Sequence, residues 1–60
     1  MAENKVKKIM DFNKISVVEL AYKAGLHYNT VYAVLHGKDM RLSTLRAIAR
    51  VLRCRLEDLI

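Results

Sequence analysis

The sequence predicts an all-α domain, compact and built from four to five short helices. Three observations carry that expectation. Apolar residues recur at i, i+3 and i+4 through most of the chain. The spacing Ser16-x-x-Glu19 reads as a capping box, which marks a helix start. No proline interrupts any segment, and the two glycines, Gly25 and Gly37, stand where turns are needed. The β-branched stretches ISVV and TVYAV suit short strands on propensity alone. Two isolated strands would have little sheet to join, so helix is the better reading.

Residues 3–12, ENKVKKIMDF, put Val6, Ile9 and Met10 on one side with Phe12 at its edge. Lys5, Lys7, Lys8 and Asp11 occupy the rest, which predicts a short amphipathic helix that NKIS breaks. Ser16 starts a second helix, with Leu20, Ala21 and Ala24 at helical spacing. Gly25 ends it, because glycine enters the left-handed region without Cβ strain. A third helix begins near His27 or Tyr28, turns Val31, Val34 and Leu35 inward and stops at Gly37. After GKDMR, Ser43 is placed to cap a fourth helix whose apolar face is Leu45, Ile48, Ala49 and Leu52. RLEDLI adds one more turn or short helix through Leu56, Leu59 and Ile60.

Sixty residues make one domain, residues 1–60. A chain this short buries only about 60% of the surface its extended form exposes, so its core is small. Apolar residues are 53% of the chain, which argues for a folded domain over disorder. The net charge of +5 favours an acidic partner, nucleic acid first and an anionic membrane second. The basic residues are spread over several helices, which disfavours a membrane-surface role. No apolar run reaches transmembrane length and no signal-peptide core stands at the N-terminus, so a reducing cytoplasm is the expectation.

Cys54 has no second cysteine to pair with. His27 and His36 lie nine residues apart and share no face on which to hold a metal with Cys54. No cofactor is expected. No Ser–His–Asp set, paired carboxylates or glycine-rich phosphate loop is present, and the chain leaves little room for a cleft. These absences argue against an enzyme.

Residues 17–36 are the informative part. A helix of about eight residues, a tight turn at Gly25 and a second helix of about nine can cross steeply only if the crossing point is small. Ala21 and Ala24 supply that, while Leu20, Leu26, Val31 and Val34 fill the angle.

Residues 16–37, SVVELAYKAGLHYNTVYAVLHG, resemble the helix-turn-helix of the Cro/C1-type phage repressor and regulator family. VKKIM before it and LSTLRAIARVLRCRLEDLI after it are similar to the rest of that lambda-repressor-like domain. The resemblance implies that Ala21 is the small inter-helix residue and Gly25 the turn glycine. Leu20, Ala24, Leu26, Val31 and Val34 become the structural apolar set, and residues 28–36 the recognition helix. Two positions depart from the family's pattern. Val17 stands where glutamine often meets a phosphate, and His27 stands where serine or threonine caps the recognition helix.

The resemblance implies double-stranded DNA as the partner, bound sequence-specifically by a repressor-like regulator of phage or bacterial type. Tyr28, Asn29, Tyr32 and Ala33 then face base edges, with Asn29 suited to adenine N6 and N7. Ser16, Thr30, Lys38 and Arg41 are the expected phosphate contacts. Arg46, Arg50 and Arg53 form one stripe on the fourth helix, expected to be a solvent face. Useful specificity needs two copies on a palindrome about 34 Å apart. Leu56, Leu59 and Ile60 are the candidate dimer surface, or else close the core. The alternative is a protein-interaction module, an antitoxin-like or accessory partner of another regulator, docking through Val17, Tyr22, Tyr28 and Tyr32.

Overall fold

The computed structural model describes residues 5–39 and 41–59. It contains α1 (Lys5–Asn13), α2 (Val17–Ala24), α3 (Tyr28–Leu35) and α4 (Leu42–Leu52), followed by a single 3-10 turn at Leu56–Asp58. Among the described residues there is no strand. Packing thus overrides the β-propensity of TVYAV, where Val31 and Val34 turn inward at helical spacing, and of Val17 and Val18, which open α2 with only Val17 packed on the core.

One apolar cluster joins the elements. Val6 and Met10 of α1, Leu20 and Ala21 of α2, and Val31 and Val34 of α3 meet Leu45, Ile48, Ala49 and Leu52 of α4. Leu20, Val31, Val34 and Ile48 are fully closed to solvent. Burying such a side chain contributes roughly 1.5–3 kcal/mol, so these few residues supply much of the stability of a small core. Ala24, Leu26 and Leu35 are half-buried at its margin, so Leu35 turns inward only in part.

Several expectations change on contact with the packed chain. Phe12 is 87% exposed, because the apolar face of α1 is satisfied by Val6 and Met10 before the helix reaches it. Leu59 is buried, so it closes the core and leaves no side chain for a dimer surface. Leu56 is half-buried against the same cluster, and Ile60 lies outside the described residues. Ser43 does not cap α4. The helix starts two residues earlier, at Leu42, Arg41 holds the cap position, and no side chain caps it.

The helix ends explain how so short a chain turns so often. Gly25 lies at φ 70°, where its N–H reaches Tyr22 O and the Leu26 N–H reaches Ala21 O at 2.9 Å. Bonds of this kind satisfy the orphan carbonyls of a last helical turn. Lys14 and Arg53 hold the same left-handed conformation without being glycine, at φ 54° and 55°. Ile15 N–H then reaches Met10 O, and Cys54 N–H reaches Ala49 O, both at 3.1 Å. Cys54 is half-buried, and burial, then the nearby Asp58 carboxylate, pushes its thiol up. It stays protonated at neutral pH and serves as a small apolar residue.

Candidate nucleic-acid interface

The start of α2 is the first piece of the site. Ser16 Oγ accepts the Glu19 N–H at 3.1 Å, as the capping box requires. The reciprocal half does not form. Glu19 instead pairs with Lys23 at 3.1 Å, four residues along the same exposed face. Ser16 is left exposed at the N-terminal end of a helix dipole, a position that favours anions.

The start of α3 is the second piece. His27 caps it, with Nδ1 accepting the Asn29 N–H at 3.1 Å. The departure from serine or threonine therefore keeps the cap and changes the chemical group that makes it. An imidazole that accepts through Nδ1 carries its proton on Nε2, so its remaining ring nitrogen is a donor. The His27 ring stacks on Tyr28 at 4.5 Å between centroids, and Tyr28 meets the Tyr32 ring edge-on at 6.3 Å. Tyr28 and Tyr32 remain about half exposed, at 48% and 45%. Offset and edge-on pairs of this kind hold rings in place, so the face is ordered before any partner arrives. Within residues 25–34, GLHYNTVYAV, the three rings of His27, Tyr28 and Tyr32 thus form one ladder.

Asn29 is exposed beside the ladder, since His27 and not its own amide caps the helix. Ala33 and Thr30 are half-buried on the flanks. Val31 and Val34 fix the rotation of α3 by burying the opposite side. A shallow groove between α1, the start of α2 and α3 places Ser16, Val17 and Tyr32 beside Lys7. Lys7 thus sits by the same surface, though it also pairs with Asp11 at 3.5 Å. Val17 is half-buried and packs on the core.

The segment after α3 behaves differently for its two cations. Lys38 is exposed, and its N–H bonds to Ala33 O at 2.8 Å, which ties the turn at Gly37 to the helix. Arg41 is held by Asp39 through Nε and Nη2, each at 3.1 Å, while Asp39 also accepts the Arg41 backbone N–H. The Arg41 side chain and backbone bonds hold the Asp39 carboxyl below the usual carboxylate range. With a depressed carboxylate the clamp is complete above the ordinary range and is lost as pH falls through the lowered value. In GKDMR, Asp39 and Arg41 two residues apart in a turn are the one sequence signal of this pairing.

Among the described residues no group of histidine, cysteine and carboxylate side chains is placed to hold a metal. No helix among them is long and apolar enough to cross a membrane. A family model described as a Cro/C1-type HTH DNA-binding domain matches residues 5–60. No curated protein matches the chain.

Proposed function

The chain belongs to the Cro/C1-type HTH DNA-binding domain family, and from that premise we propose that it is a small repressor-like transcriptional regulator that binds a specific double-stranded operator. The reading rests above all on the ordered, exposed face of α3. Tyr28, Asn29 and Tyr32 are aligned by a capped helix start while Val31 and Val34 hold the other side in the core. A recognition helix enters the major groove N-terminus first, so Asn29 would read adenine and the tyrosines and Ala33 would meet thymine methyl groups or neighbouring edges. His27 would add its Nε2–H as a donor to a phosphate or base acceptor.

Ser16, Thr30 and Lys38 would contact phosphates, with Lys7 close by. Arg41 would do so only with the guanidinium protons that Asp39 leaves over. The domain measures 28 × 21 × 17 Å, shorter than the spacing of about 34 Å between half-sites one helical turn apart. Operator recognition would therefore use a homodimer assembled at least on DNA, in a bacterial or phage-infected cytoplasm.

Selection of bound fragments from random duplex, followed by Asn29→Ala on the selected operator, tests the reading. Affinity is expected to fall by about 1–3 kcal/mol on the selected site and little where the contacted adenine is replaced, with helicity intact. Equal loss on both duplexes would assign Asn29 to the backbone instead.

A second reading has its own observation. Phe12, Val18 and Tyr22 are exposed at 87%, 67% and 86%, more than the tyrosines of α3. They support an accessory or antitoxin-like protein partner. Undiminished DNA binding in a Tyr22→Ser variant that has lost a protein partner would favour both functions together.

A further inference from the structure

We propose that a second phosphate-binding surface, formed by Arg46, Arg50 and Arg53 with Lys14, takes the backbone of a second DNA duplex while α3 engages the first. The inference rests on the DNA-binding reading and goes beyond it, because it makes one domain a bridge between two duplexes.

Four observations carry it. Arg46, Arg50 and Arg53 follow at i, i+4 and i+7, all three are exposed, and among the described residues none has an ion-pair partner. The helix from Arg46 to Leu52 covers about 9 Å with Arg53 following at its left-handed cap, and one strand of a duplex presents a charge every ~3.4 Å along its axis, so the track is comparable with roughly three phosphates. An arginine fork also suits phosphate better than an ammonium does. In this chain every lysine precedes residue 40 and every arginine follows it.

Arg50 and Arg53 run into an open groove that Lys14 and Lys23 also line. Glu19 is the one carboxylate lining it and is already paired with Lys23. Three cations, Lys14, Arg50 and Arg53, are thus left without a counter-charge there. Among the described residues, Lys14 and Arg53 are also the two non-glycine positions with positive φ. The chain uses glycine at Gly25 and Gly37 for the same backbone geometry, yet it holds strained cations where this groove lies. Strain that glycine would relieve, concentrated at a single surface, points to a requirement for the side chains. No residue of α3 lines the groove, which shares only Ile15 with the groove beside Lys7, so the arginine track lies away from α3.

The test is duplex capture. Beads carrying one duplex are loaded with the protein at low salt, washed, and offered a fluorescent duplex of unrelated sequence. Wild type should retain the fluorescent duplex. The triple variant R46Q/R50Q/R53Q should lose at least about tenfold of that retention while still shifting a single duplex, with circular dichroism confirming its helices. Wild type that shifts one duplex yet captures no second one overturns the proposal and leaves the DNA-binding reading standing. Capture by the triple variant equal to wild type assigns bridging to paired protomers and also overturns it. A parallel loss of single-duplex binding places the arginine track on the first duplex. Labelled poly-glutamate held by the same arginines more tightly than duplex assigns the surface to an acidic protein partner. Absence of any duplex binding by wild type sinks the proposal together with the reading beneath it.

Discussion

α3 and α4 reach the helical state by different routes. α4 has eleven residues, buries Thr44, Leu45, Ile48, Ala49 and Leu52, and alternates them with exposed Arg46 and Arg50. α3 has eight, buries Val31 and Val34, and carries no charged residue at all. Isolated helices this short are marginal, and two valines, two tyrosines and a threonine make α3 poorer still in intrinsic propensity. α4 is therefore held by its own pattern, whereas α3 is held by its neighbours and by its ends. The consequence is functional. The helix proposed to face DNA is released from the need for a polar, helix-favouring surface and can present aromatic and amide groups instead.

The largest test of this contrast removes the support that both helices share. Ile48→Ala empties a fully buried site on α4, and such truncations cost about 2–5 kcal/mol. A small domain has about 5 kcal/mol or little more to lose, so much of the population should unfold at 37 °C. Urea denaturation followed by circular dichroism measures it. A loss under 1 kcal/mol would mean that α4 is not the keel of the core.

A smaller effect is expected where α3 leans on α2. Ala21 is 3% exposed at that crossing, and Ala21→Leu should cost about 1–3 kcal/mol by overpacking. DNA affinity should fall further than the lost stability explains, because the two motif helices separate. An unchanged melt would show that the crossing tolerates a larger residue.

The same contrast decides what the sequence disclosed. The apolar face of α4, the small crossing at Ala21 and the glycine turn at Gly25 were all readable, because each rests on a residue type whose physics is local. The ends that rely on unusual residues were not. Imidazole seldom replaces a hydroxyl as a cap, so His27 looked like a weakness. Lys14 and Arg53 carry no sign of left-handed backbone, which tertiary packing imposes on them. Leu59 looked equally suited to a dimer surface and to the core, since both need an apolar side chain. The exposed face of α3 was legible as a set of residues, but its ring ladder was not.

The cap sharpens the comparison at α3 alone. His27→Ala should destabilise by about 0.5–2 kcal/mol, and His27→Ser should restore most of it. Amide exchange gives the local readout. The Asn29 N–H, now held by Nδ1, should exchange faster in the alanine variant and recover in the serine variant. Equal exchange in all three proteins would show that the ring stack, not the cap, orders the start of α3.

The smallest expected effect has the opposite sign and belongs to the end of α4. Arg53 holds φ 55° at the helix C-terminus, where a Cβ is disfavoured by roughly 1–2 kcal/mol. Arg53→Gly removes that strain, but it frees the unfolded chain by about 0.4–1 kcal/mol and gives up a cation at the negative end of the dipole. The net gain should be slight. Arg53→Ala separates the contributions, because it discards the charge and keeps the strained backbone. Glycine should exceed alanine by about 0.5–1 kcal/mol in chemical denaturation. If alanine matches glycine, the left-handed turn costs no more than the ~0.4–1 kcal/mol of unfolded-state freedom that glycine adds, and the argument that strain marks the arginine groove loses one of its supports. If glycine is more stable yet captures a second duplex less well, Arg53 is retained for its charge.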